Sequence, residues 1–283
     1  NTVTLPSCIF SNALTCSPPL PPETEGNPQC RFGITSRFTP GDAVRIDAIT
    51  DDGQYHAWTE INVPQRPFEI ENVDTVTVPL AQSGYTTEYL RYRITINDRP
   101  NETNYYRIVI DKQTTLWGYN HEEGGDDYIY WTKHSYNFIG REDVVLTDGQ
   151  PTTGDDEDNG LFDTAKNIYG VFDDTRFRNT SYTMTVYNNT KIETGSDSGY
   201  FSGMDVIIRL MSITETEYYY LKALNLVVSD AYDETINEPI KYPSNVHGGT
   251  GMVGISTEVT QTIHIISSSH SKGNLAPPVH VYQ

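Results

Sequence analysis

Cysteine is scarce: three residues in 283, Cys8, Cys16 and Cys30, none at C-x-x-C spacing. That argues against a zinc site of the ribbon or finger type, and it leaves the bulk of the core unstapled. In an oxidising compartment one pair can bridge and one thiol is left over; the spacing does not say which. Positive charge is also in short supply, with 19 Lys and Arg against 38 Asp and Glu and a net charge of −19. Nucleic acid is excluded as a partner, because phosphate binding needs clustered cations. Direct adhesion to anionic lipid is disfavoured for the same reason. No stretch reaches the ~18 consecutive apolar residues of a membrane-spanning helix. Residues 1–30 have neither a basic start nor an apolar core, so they do not read as a signal peptide. Leu5-Pro-Ser-Cys8 resembles a lipoprotein cleavage box but has no apolar run before it, so the chain reads as a mature or trimmed form. There is no H-E-x-x-H, and Gly195-Ser-Asp-Ser-Gly199 carries Asp197 where a hydrolase elbow needs serine.

What the chain has in quantity is strand-forming sequence. Tyr (20) outnumbers Phe (9), and β-branched residues recur in alternating runs. The clearest hairpin spans residues 41–63. A two-residue type I′ turn at Asp52-Gly53 predicts that Val44 faces Ile61, Ile46 faces Thr59 and Ala48 faces Ala57 on one side. Arg45 then faces Glu60, and Asp47 faces Trp58, on the other. Trp58 on the outer face is either covered by a loop or exposed for binding, and covering is the commoner fate of so large a ring. Further strands are expected over 75–80, 88–96, 104–110, 180–187 and 204–213, with residues 97–103 compatible with a hairpin connection.

One helix is legible, from about 215 to 230. Thr214-Glu-Thr-Glu217 fits a capping box, in which the threonine oxygen takes one free N–H and Glu217 reaches back for another. Leu221, Leu224, Val228 and Ala231 make an apolar stripe at helical spacing. Pro239 and Pro243 forbid its continuation. Gly249-Thr-Gly251-Met-Val-Gly254 follows, with the spacing of a dinucleotide loop. That loop must open a helix, whereas residues 255–266 alternate like a strand. Glycines that admit a bulge, or the close approach of another segment, are the expected reading.

Residues 112–160 have the weakest periodicity and are expected to form long irregular segments, where binding residues concentrate. Trp117, Tyr119, Tyr128, Tyr130 and Trp131 are the candidate ligand-binding residues: such rings stack on sugars or pack on a partner, or else form an ordinary strand face. Asp155, Glu157, Asn159 and Gly160 begin like a calcium loop, but Lys166 stands where the bidentate carboxylate belongs, so an acidic turn is expected. His121, Glu122, Asp126, Asp127 and His134 are metal-ligating residue types at no diagnostic spacing. No catalytic residue, metal or cofactor is expected.

Three stretches carry a resemblance: Asn97-Asp-Arg-Pro100 with Asn104-Tyr-Tyr-Arg-Ile108; Val171-Phe-Asp-Asp-Thr-Arg-Phe177; and Tyr218-Tyr-Tyr-Leu221 followed by Glu238-Pro and the glycine run. Together they resemble the Bacteroidetes outer-membrane lipoprotein family catalogued as domain of unknown function 4249. The chain departs from it at Arg178, where a glycine is common, and the family's first strands and lipid-bearing cysteine are expected upstream of Asn1. The resemblance implies a mainly β fold in two domains. Residues 1–78 form an incomplete immunoglobulin-like β-sandwich, and 79–283 a larger antiparallel sandwich or barrel with one packed helix. It implies a lipid anchor in the outer membrane, on its surface or periplasmic face, and association with a TonB-dependent transporter. It points to a non-catalytic role in nutrient uptake, capturing a glycan or peptide; the alternatives are a glycan hydrolase, or a structural surface protein or adhesin subunit. Asp74-Thr-Val76 and Asp163-Thr-Ala165 resemble that phylum's O-glycosylation signal, which makes Thr75 and Thr164 candidate acceptors.

Overall fold

The computed structural model describes residues 9–11, 29–31, 38–50, 52–82, 85–119, 128–136, 138, 140, 143–149, 167–189, 200–228 and 239–265, with 9–11, 29–31, 80–82, 85, 87, 117–119, 128–131, 189, 200–202 and 228 given by their backbone course. The strands are β1 (Ile9–Ser11), β2 (Gln29–Arg31), β3 (Ala43–Ile49), β4 (His56–Asn62), β5 (Asn72–Gln82), β6 (Tyr85–Asn97), β7 (Tyr105–Tyr119), β8 (Tyr128–Ser135), β9 (Val171–Asp173), β10 (Ser181–Asn189), β11 (Tyr200–Ser212) and β12 (Thr257–Ile265). One helix, α1 (Glu215–Val228), precedes the last strand. All pairings are antiparallel: β1-β2, β3-β4, a three-stranded sheet β10-β6-β5, and a five-stranded sheet β12-β11-β7-β8 with β9 also on β7. The sheets stay open among the described residues, so the sandwich alternative holds and the barrel does not.

The two larger sheets pack face to face because their strands alternate. Leu90, Tyr92, Ile94 and Ile96 of β6 meet Ile108 and Ile110 of β7 and Val206, Ile208 and Leu210 of β11 in one buried cluster. Burying each such side chain is worth about 1.5–3 kcal/mol. β7 is buried on its other face too, where Val109 joins Met211, Tyr218 and Leu221 in a second cluster. The layers are therefore sheet, sheet and helix, with β7 central. β5 pairs with β6 along its length, so it runs through residue 78, where the sequence suggested a domain boundary.

The hairpin register matches expectation pair for pair from Val44↔Ile61 to Ala48↔Ala57. Its turn differs. The Gly53 N–H donates to the Thr50 carbonyl at 2.8 Å, and Gly53 takes φ +68° while Asp52 does not enter the left-handed region. A type I′ turn needs positive φ at both central residues. The Asp52 carboxylate instead accepts from the Thr50 hydroxyl and the Gln54 N–H, closing a wider loop.

Two other expectations change. β6 and β7 do not pair, so residues 97–103 carry the chain from one sheet to the other rather than forming a hairpin. Within the weakly periodic stretch from 112 to 160, the described residues 112–119 and 128–135 are strand, the end of β7 and all of β8, and 144–149 form turns. The helix starts where expected, with the Glu217 N–H donating to Thr214 Oγ1 at 3.2 Å. Leu221 is buried and Leu224 half-buried against the sheet, but Tyr218, 2 % exposed, is the larger anchor. Among the described residues no helix is long and apolar enough to cross a membrane. No helix follows the glycine run, which leads through irregular chain into β12.

Candidate functional site

The three sequence stretches noted above meet at one end of the five-stranded sheet. Asp98 accepts from Asn104 Nδ2 (3.1 Å), the Tyr106 hydroxyl (3.1 Å) and the Asn179 N–H (2.8 Å). Asp174 accepts from the Asn104 N–H (2.9 Å) and from Arg178 (3.0 Å). Asp98, Asn104 and Asp174 are 5 %, 2 % and 0 % exposed, so their bonds replace the water they gave up. Tyr218 of α1 donates to Asp173 at 3.0 Å, and Tyr105 donates to Glu215 at 2.9 Å. The stretches thus join β7, β9 and α1. Their carboxylates are committed to holding the fold.

The glycine run performs the second joining. Trp58 and His247 exchange backbone hydrogen bonds at 2.9 and 2.8 Å, and their rings stack at 4.1 Å. Arg45 lies over the Trp58 ring at 4.3 Å. Trp58 is therefore covered. Gly248, at φ +76°, sits against the His56 carbonyl, where no Cβ fits. At the far end of the run, a Cβ on Gly254 would lie 2.6 Å from Glu217 Oε2. The run ties the β3-β4 hairpin on one side and seats against the first turn of α1 on the other.

This contact revises the role of Glu217. Instead of reaching back to the helix start, its carboxyl is turned inward; the residue is 9 % exposed and Oε2 has no hydrogen-bond partner. Burial pushes the carboxyl up from 4.5 to about 7, and the charge of Arg107 opposes the shift. Burial in turn lowers the Arg107 guanidinium, against the pull of Glu217. The Arg107 Nε donates to the Tyr169 carbonyl at 3.0 Å.

The rest of that sheet face is not covered by the helix, and it carries the candidate binding residues. The β7-β8 register sets Trp117 opposite Tyr130 and Tyr119 opposite Tyr128; Trp131 lies opposite Leu116, on the alternate register positions. Four of the five aromatics thus occupy two successive cross-strand pairs on strands, not loop tips. Two pairs along, at one level, stand His134 of β8, Gln113 of β7, Asp205 of β11 and His264 of β12. His134 Nδ1 lies 3.0 Å from Asp111 Oδ1, and His264 Nδ1 lies 2.7 Å from Asp205 Oδ1. Gln113 Nε2 donates to Asp111 Oδ2 at 2.7 Å, and the His134 ring stacks on Tyr136 at 6.0 Å. Each imidazole is braced by a carboxylate at Nδ1, which leaves Nε2 as the nitrogen for another group. Burial and the nearby Asp111 charge push the Tyr136 hydroxyl up.

Sequence reasoning placed His134 among metal-ligating types but missed Asp111, Gln113, Asp205 and His264. Only their polar character on alternating strand positions could have marked them. No group of three or more His, Cys, Asp or Glu able to hold a metal occurs among the described residues. His121, Glu122, Asp126, Asp127, the acidic run 155–160, Asp197, Thr164 and Ala231 lie outside the described residues, as do the side chains of the cysteines and of Val228. Thr75 is exposed on the edge strand β5. No curated protein matches the chain. A family model described as Domain of unknown function (DUF4249) matches residues 18–262, and the chain belongs to that family.

Proposed function

We propose that the protein is a non-catalytic lipoprotein of the Bacteroidetes outer membrane, anchored by lipid, that captures a glycan or peptide for a TonB-dependent transporter. The observation that carries the capture role is the register of β7 and β8, which gathers Trp117, Tyr130, Tyr119 and Tyr128 into two adjacent pairs beside a polar row. Aromatic faces with a few convergent polar groups are the usual make-up of a small-ligand site. A binding rather than hydrolytic role is supported by three of the buried carboxylates. Asp98, Asp143 and Asp174 are each held by backbone, amide, hydroxyl or guanidinium donors that fix the fold. The anchor, the membrane and the transporter rest on the family resemblance, and Thr75 is proposed as a surface glycan acceptor on the same ground. Affinity purification from native outer membranes tests the accessory role. A transporter recovered with the protein supports it; the protein recovered alone counts against it.

A further inference from the structure

We infer that the ligand is an uncharged oligosaccharide, laid across the open face of the five-stranded sheet between the aromatic pairs and the histidine row. The inference rests on the capture half of the reading above and names its substrate class.

The dimensions come first. Gln113 and Tyr119 are six residues apart on β7, which is roughly 20 Å at about 3.3 Å per strand residue. His134 and His264 are three strand spacings apart at one level, or roughly 14 Å between their backbones. A platform of that size is too wide for one metal ion to join its histidines, and it is long enough for several sugar units.

The floor comes second. Between the aromatic pairs and the polar row the level is made by Thr132, Thr115 and Gly203. Among the described residues nothing lies within 4 Å of a Cβ built on Gly203. The middle of the platform is therefore low and open at Gly203, between the register positions of the aromatic pairs and the polar row.

The chemistry comes third. Aromatic rings offer flat apolar faces to the C–H side of a pyranose. The Asp205–His264 pair and the His134 imidazole, braced from behind by the buried Asp111, supply donors and acceptors for hydroxyls, as does the amide oxygen of Gln113. The imidazoles are 74 % and 43 % exposed in their side chains, for His264 and His134 respectively. Asp205 within the row and Asp111 buried behind His134, on a chain of net charge −19, disfavour uronic or sulfated sugars. A peptide captured by strand addition would use a sheet edge instead of this face.

Calorimetric titration of the folded protein tests this with neutral hexasaccharides of glucose, mannose, galactose, xylose and N-acetylglucosamine. A uronic-acid hexasaccharide and a tryptic peptide pool are the controls. At least one neutral hexasaccharide should bind. Gly203→Leu should fill the floor and weaken binding at least about tenfold, as should His264→Ala. Both positions are open, so circular dichroism and the urea midpoint should stay those of the parent. Failure of every neutral sugar to bind at millimolar concentration, binding only of peptide or uronic acid, or full binding by Gly203→Leu would overturn the inference. A transporter that still co-purifies in that case leaves the accessory role standing.

Discussion

Replacing Glu217 with glutamine should change how stability depends on pH. Burial raises the folded-state value of this carboxyl from 4.5 to about 7. Between those values the folded protein holds a proton that the unfolded chain has released. Stability from this group is therefore greatest below pH 4.5, falls as pH rises towards 7, and is flat above. At about 1.4 kcal/mol per pH unit, the full loss is on the order of 3 kcal/mol, and the partial opposition of Arg107 is already contained in that value. Glutamine has nearly the volume of the protonated acid and cannot ionise. Glu217→Gln should match the parent at pH 5 and exceed it by about 1–3 kcal/mol at pH 8. Urea denaturation of both proteins at pH 5, 6, 7 and 8 gives the difference directly, with other titrating groups cancelling. A difference that stays constant across the range, or that favours the parent as pH rises, would refute the reasoning.

Gly254→Ala should cost about 1–3 kcal/mol, because its Cβ meets the Glu217 carboxyl at 2.6 Å; Glu217→Ala in the same chain should recover much of that loss in a double-mutant cycle. Gly248→Ala meets the His56 carbonyl and a positive φ together, so it should loosen the β3-β4 hairpin, read as faster amide exchange over 43–62 with β6 and β7 unchanged. Asp174→Ala leaves the buried Asn104 N–H without its acceptor, while the half-exposed Arg178 turns to water, and should lower stability by about 1–3 kcal/mol in equilibrium denaturation.

The parts legible in the sequence were those fixed by near neighbours. The hairpin register follows from alternation over twenty residues, and each pair from Val44↔Ile61 to Ala48↔Ala57 stands where the alternation puts it. The start of α1 follows from Thr214, and its buried face from Leu221. What escaped was fixed by distant partners. Glu217 looks like a capping residue until Gly254, far along the chain, closes over it. Asn104 reads as the start of a strand, whereas its side chain joins Asp98 to Asp174 across 70 residues of sequence. The aromatic stretch seemed irregular because β7 carries polar Asp111, Gln113 and Thr115 on the face the helix leaves bare. The row His134, Gln113, Asp205 and His264 is drawn from four strands and exists only once their registers are set.

The account turns on whether the uncovered sheet face is where a ligand settles. Hydrogen–deuterium exchange with and without the best-binding neutral hexasaccharide tests this most directly. Slowed exchange confined to 111–119, 128–135 and 203–206 is the expected pattern. Slowing at the β3-β4 hairpin or around α1, with those strands unchanged, would contradict it.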